Sequence, residues 1–122
     1  MIKFEVDQLK NLLTIRYAGA VEPAEVESRL EDMRSNLAQL QSGFRLLVDL
    51  TELQSMDVAC APFIEKAMDL CNEKGACLIV RVIPDPHRDI GLKIMSIFHY
   101  DSDVQILNCQ TLEQAEEILR TE

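Results

Sequence analysis

No C-x-x-C pair occurs in this chain, and neither histidine, His87 or His99, stands at zinc-ligand spacing from a cysteine, which removes the common zinc and dithiol motifs. No glycine-rich phosphate loop of either standard kind is present. Four glycines and four prolines in 122 residues are too few for a linker-rich or disordered chain. No apolar run approaches the ~20 residues that a membrane-spanning helix requires. The opening residues, MIKFEVDQLK, alternate apolar with charged, which is not a signal-peptide pattern. Only 12 basic residues stand against 21 acidic ones, a net charge of −9, and this argues against broad binding to nucleic acid or anionic membranes. Internal repeats and low-complexity segments are absent as well. The expectation is one cytoplasmic domain with no cofactor. Its acid excess serves solubility or faces a basic protein partner.

The four cysteines, Cys60, Cys71, Cys77 and Cys109, sit among apolar neighbours, where free cysteine behaves as a small hydrophobe. All are expected to be buried reduced thiols. Cys60 is the one to watch, because it lies near an expected helix start, where a thiol pKa can fall.

What is present is a regular alternation of strand and helix patterns. Ile2, Phe4 and Val6 alternate with Lys3, Glu5 and Asp7 as in a half-buried strand. Gln8 to Asn11 make a turn, and Leu12 to Ala18 return as the second arm of a hairpin. Glu22-Pro23 opens a helix. Val26, Leu30, Met33, Leu37 and Leu40 then form one apolar stripe, with Gly43 as its stop. Phe44 to Leu50 is apolar with little alternation, as in a central strand covered on both faces. Phe63, Ile64, Ala67, Met68, Leu70 and Cys71 form the next helix, closed by Gly75. Either that helix begins near Pro62, the preferred reading, or Asp57 caps a separate short turn before it. Ala76 to Ile83 is another central strand, and Pro84-Asp85-Pro86 breaks it. Asp89 to Tyr100 reads as a third helix despite Gly91, Val104 to Leu107 as a strand, and Thr111 to Gln114 as a capping box opening the last helix.

The order β-β-α-β-α-β-α-β-α predicts an α/β fold. Its sheet is mostly parallel, with an N-terminal β-hairpin and about four helices.

Three stretches together resemble the STAS domain, the module of anti-sigma-factor antagonists and of sulfate-transporter tails. LLTIRYAGAVEPAEVESRL is similar to the family's second strand, glycine turn and first helix. LLVDLTELQSMD is similar to its strand and loop with an Asp at each end, and CQTLEQAEEIL to its final strand-to-helix step. The resemblance spans nearly the whole chain and implies a SpoIIAA-like fold with a regulatory, protein-binding role. Members that act as phosphorylation switches carry Asp-Ser-Ser-Gly where this chain has Asp57-Val58-Ala59-Cys60. Neither position that would hold the phosphoacceptor has a hydroxyl, so switching at that site is excluded. Thr51 and Ser55 are nearby hydroxyls, but both precede Asp57 and do not inherit the role. The first helix also looks longer than the family's. A divergent branch is implied, including those compared with lipid-binding Sec14-type domains.

Asp49 and Asp57 form a candidate carboxylate pair for acid–base chemistry, which needs their pKa values pushed apart. The simpler reading has Asp49 anchoring the loop through backbone amides and Asp57 sitting at a helix N-terminus, where negative charge is favoured. Arg81, between Val80 and Val82, either has a structural partner, lies at an exposed edge or binds an anionic ligand. His87 and Arg88 follow a strand at the sheet edge where open α/β folds bind ligands, or belong to a solvated turn. Ile90, Leu92, Ile94, Met95, Ile97 and Phe98 are too many for one helix face. They pack deeply, meet a protein, or line a pocket with Gly91.

The favoured reading is a non-enzymatic interaction module. Its protein partner, of the kinase or anti-sigma type or a second copy of the chain as a homodimer, docks on Thr51, Ser55, Asp57, Val58, Ala59, Cys60 and Phe98. The alternative is a carrier or sensor of a small apolar, lipid-like or anionic ligand, held by Arg81, His87, Arg88 and Gly91. An enzyme using Asp49, Asp57 and Arg81 is the third.

Overall fold

The computed structural model describes residues 1–84 and 104–121. The hairpin forms as expected: β1 (Ile2–Asp7) pairs antiparallel with β2 (Leu12–Tyr17). The turn between them places Asn11 at φ 51°, a left-handed conformation that asparagine tolerates. After β3 (Gly19–Val21), the single helix expected from Pro23 to Gly43 is two helices, α1 (Pro23–Ser28) and α2 (Leu30–Leu37). The junction is Arg29, at φ −94° and ψ −3°, whose N–H donates to the Val26 carbonyl three residues back. That tightened turn re-aims the chain without proline or glycine. Leu40 still reaches the core, and Gly43 lies in the turn beyond the helix.

β4 (Arg45–Asp49) is followed by β5 (Leu53–Met56), a strand where the sequence showed only a polar link. A short 3-10 turn, Val58–Cys60, precedes α3 (Ala61–Lys74). Both readings of this region therefore apply: the helix begins beside Pro62, and Asp57 caps a separate turn. Gly75 ends α3 at φ 98°. β6 (Leu78–Val82), β7 (Gln105–Cys109) and α4 (Leu112–Thr121) complete the described elements. At the start of α4 the Gln114 N–H donates to Thr111 Oγ1 at 3.1 Å, the expected cap. The helix expected at Asp89 to Tyr100 lies outside the described residues, along with His87, Arg88, Gly91 and Phe98.

The main sheet has five strands in the order β1-β2-β4-β6-β7, parallel except at β1. This is the mostly parallel α/β arrangement that the strand–helix alternation implies. Because side chains alternate along a strand, Leu46 and Val48 join Ile15, Ile79, Val26, Met33, Leu37, Ile64 and Met68 on one face. Leu47 joins Val80, Val82 and Ala115 on the other. The helices α1, α2 and α3 thus cover one side and α4 the other. Phe44, Leu46, Ile79 and Val80 are almost wholly enclosed. Burial of each such side chain contributes about 1.5–3 kcal/mol. β3 and β5 form a separate two-stranded parallel ladder beyond the strand ends.

Candidate functional site

The chain from Asp49 to Pro62 runs across the C-terminal end of β4, and each step of it is fixed by a bond. Asp49 ends the strand and is buried. One carboxylate oxygen accepts the Thr51 N–H at 2.9 Å and also the Thr51 hydroxyl. The other faces Arg16 Nε at 3.3 Å, and Arg16 Nη1 reaches Glu5 at 2.6 Å. Burial opposes the Arg16 charge, but Glu5 and Asp49 outweigh it and raise its pKa above the ordinary guanidinium value. The Leu50 N–H donates to Val82 and the Leu53 N–H to Leu50, so the chain turns tightly into β5.

β5 then lies along β3, with Ser55 beside Ala20 and Met56 beside Val21. Leu53 and Met56 point inward while Gln54 is exposed and Ser55 half-buried. The Asp57 N–H donates to Val21 O at 3.3 Å, and the Asp57 side chain accepts the Ala59 N–H at 2.8 Å. Asp57, Val58 and Ala59 are therefore displayed on an exposed turn whose backbone is held from both sides. Val58 is 56% exposed, which is unusual for a large aliphatic side chain among the described residues.

Thr51, Ser55, Asp57, Val58 and Ala59 fall on this one continuous loop and turn. Cys60 does not share the surface. It is fully enclosed, with its thiol directed at Val21 O at 3.6 Å, so it supports the turn from beneath. Its pKa moves opposite to the direction expected near a helix start. Burial pushes it up, and the negative charges of Asp57 and Glu22 add to that. The expectation that all four thiols are buried also needs correcting, since Cys77 is exposed and Cys109 half-buried. The reason is position: Cys77 precedes β6 and its Sγ donates outward to Gly43 O at 3.0 Å.

The three residues of the enzymatic reading are held apart. Arg81 is in register with Val48 on the neighbouring strand, so it shares Val48's side of the sheet. Asp49, one residue further, points to the opposite side, towards Arg16. The Arg81 Nε donates to Asn108 Oδ1 of β7 at 2.8 Å. Asp57 caps its own turn. Each acid thus does the anchoring work of the simpler reading. Among the described residues no group of His, Cys, Asp and Glu could hold a metal ion. No helix among them is long and apolar enough to cross a membrane.

Space for a ligand is limited in the described core. Voids of about 10 Å³ lie between Tyr17, Met33 and Ala67, scarcely enough for one water. The pocket imagined around Gly91 lies outside the described residues. A polar cleft of about 110 Å³ opens beside the Arg16–Asp49 pair, between Lys3, Glu5 and Glu52. Sequence reasoning missed Arg16 and Glu5 altogether. The available signal was an arginine at the end of an otherwise apolar strand, matching the aspartate at the end of the next.

Solved structures share this fold. The anti-sigma factor antagonist SpoIIAA in its unphosphorylated form is 14% identical, with a TM-score of 0.67 over 100% of both chains. An uncharacterized Shewanella loihica protein with a SpoIIAA-like fold is 18% identical, with a TM-score of 0.68 over 98% of this chain and 92% of its own. An anti-sigma factor antagonist from Mycobacterium paratuberculosis is 14% identical, with a TM-score of 0.58 over 98% of this chain and 95% of its own. No protein-family model and no curated protein matches the chain. At these identities the likeness is one of architecture, and by that measure the chain has a SpoIIAA-like fold, the fold that the STAS resemblance implies.

Proposed function

We propose that this protein is a non-enzymatic regulatory module that docks a protein partner through the loop and turn from Thr51 to Pro62. The observation that carries the reading is Val58, an aliphatic side chain exposed on a turn that Asp57 and Val21 hold rigid. A fixed apolar knob offers binding area with little ordering cost. Asp57 beside it and Glu22, whose charge is felt at Cys60 beneath the turn, are exposed, so the surface fits a partner with an apolar pocket and a basic rim. The same architecture in anti-sigma factor antagonists supports a regulatory protein-binding role.

The module works without phosphorylation at the turn, because Val58 and Ala59 offer no hydroxyl. SpoIIAA is known in phosphorylated and unphosphorylated forms; this chain presents one surface permanently.

The test is affinity capture from the native host with the wild type, Val58→Glu and, as a surface control, Leu9→Glu. Leu9 is fully exposed in the β1–β2 turn, far along the chain from the docking loop. A partner retained by the wild type and by Leu9→Glu, and lost with Val58→Glu, supports the reading. Equal retention by all three contradicts it. A phosphate on Ser55 that controls partner binding would overturn phosphorylation independence.

A further inference from the structure

Among the described residues β1 ends the strand order of the main sheet on one side, as β7 does on the other. Which of the backbone groups of β1 face outward follows from one pair. Met1 and Ala18 exchange both hydrogen bonds, each at 2.8 Å. In an antiparallel ladder such bonded pairs alternate with non-bonded ones. In the β1–β2 register, Lys3 with Arg16 and Glu5 with Thr14 are then bonded pairs as well. The N–H and C=O groups of Ile2, Phe4 and Val6 consequently point away from β2, towards open edge.

An exposed edge is a template for another strand, and lysine on it normally discourages pairing. Here Lys3 also lies opposite Arg16, a like charge, in the β1–β2 pair, an arrangement that is unfavourable by itself. Glu5, two residues on, changes the outcome for one particular neighbour. We infer that β1 pairs antiparallel with β1 of a second copy of this chain, in the register centred on Phe4, joining two sheets across a twofold axis.

Charge selects that register. With Phe4 opposite the partner's Phe4, Ile2 meets the partner's Val6 and both pairs use the outward backbone groups. Lys3 then stands opposite the partner's Glu5, and Glu5 opposite the partner's Lys3. These fall at the non-bonded positions, where side chains approach most closely. The two adjacent registers that also use the outward groups set Lys3 against Lys3 or Glu5 against Glu5. Both are repulsive. A self-complementary patch of this kind is what a twofold interface requires. Phe4 and Val6 are only half-buried in one copy, so the second copy covers apolar surface as well.

The test is sedimentation of the whole chain over a range of concentrations, using wild type, Lys3→Glu and Glu5→Lys. The wild type is expected to show a monomer–dimer equilibrium. Each single variant places like charges at both cross-strand positions and is expected to dimerise at least 10-fold more weakly, about 1.4 kcal/mol. An equimolar mixture of the two variants restores the opposite-charge pairs and is expected to form a heterodimer. Circular dichroism of each variant checks that the fold persists. If Glu5→Lys does not fold, Lys3→Glu mixed with Glu5→Gln replaces it, with weaker heterodimer formation than the wild type dimer. A monomeric wild type, a dimer insensitive to Lys3→Glu, or a mixture that stays monomeric each overturns the inference.

Discussion

Arg16 and Asp49 stand opposite each other on neighbouring parallel strands, with Arg16 Nε 3.3 Å from the Asp49 carboxylate. The same carboxylate accepts the N–H of Thr51, the first residue of the proposed docking loop. The end of the strand and the start of the loop are thus fixed by one side chain, which links the core of the sheet to the proposed binding surface.

Removing that side chain should loosen the loop. Asp49→Ala removes the carboxylate that accepts the Thr51 N–H and one of the two carboxylates that face Arg16, Glu5 being the other. An unmet buried donor costs about 1–3 kcal/mol, and the half-exposed Arg16 recovers part of its loss from water. The expected destabilisation is about 2 kcal/mol. Asp49→Asn keeps an oxygen for Thr51 and should lose less. Urea unfolding of the two variants orders them.

The thiols should react in the order of their exposure. Cys77 is open and Cys109 half-buried, while Cys60 and Cys71 are enclosed. In the native protein a maleimide or disulfide reagent should modify Cys77 first and Cys109 more slowly. Cys60 and Cys71 should react only at the rate of opening of the fold. Peptide mass mapping over time distinguishes them.

Alkaline conditions should unfold the protein partly through its buried thiols. Burial pushes the Cys71 pKa up from 9.0 to about 12. The unfolded chain releases that proton first, so the native state binds more protons between the two values. Stability is then full below pH 9 and falls as the pH rises towards 12, by up to about 1.4 kcal/mol per pH unit for one thiol. Cys71→Ala should flatten the slope in that interval. Denaturant midpoints measured across it provide the comparison.

Gly75 should resist substitution. It ends α3 at φ 98°, and a Cβ there would lie 3.3 Å from Ser42 Cβ and closer still to its hydroxyl. The left-handed conformation costs a residue with a Cβ about 1–2 kcal/mol. Gly75→Ala should lower stability by at least that amount, and Ser42→Gly in the same chain should recover the steric part. Thermal unfolding of the single and double variants separates the two contributions.

The sequence displayed the parts of the fold whose signals are local. The apolar runs at Leu46–Val48 and Leu78–Val82, the stop at Gly75 and the cap at Thr111 all sit where their patterns place them. The ladder of β3 with β5 left no such pattern. Leu53 and Met56, three apart, are both buried, and the register shifts between Gly19 and Ala20, so strict alternation is absent. The break at Arg29 was equally hidden, because the apolar stripe continues across it. Arg29 lies 5.0 Å from the Phe4 ring and bonds Asp32 at 2.6 Å, and the first of those contacts is invisible locally. Of the candidate site, the turn capped by Asp57 was legible only as one of two alternative starts to α3. The Glu5–Arg16–Asp49 chain was not, since it joins residues on three strands.

The docking surface is tested most directly by amide hydrogen exchange of the whole chain, alone and with the partner captured by the wild type. Protection should concentrate in residues 51–62 and vanish when Val58→Glu is used. Unchanged exchange there, with protection confined to other segments, would contradict the proposed surface.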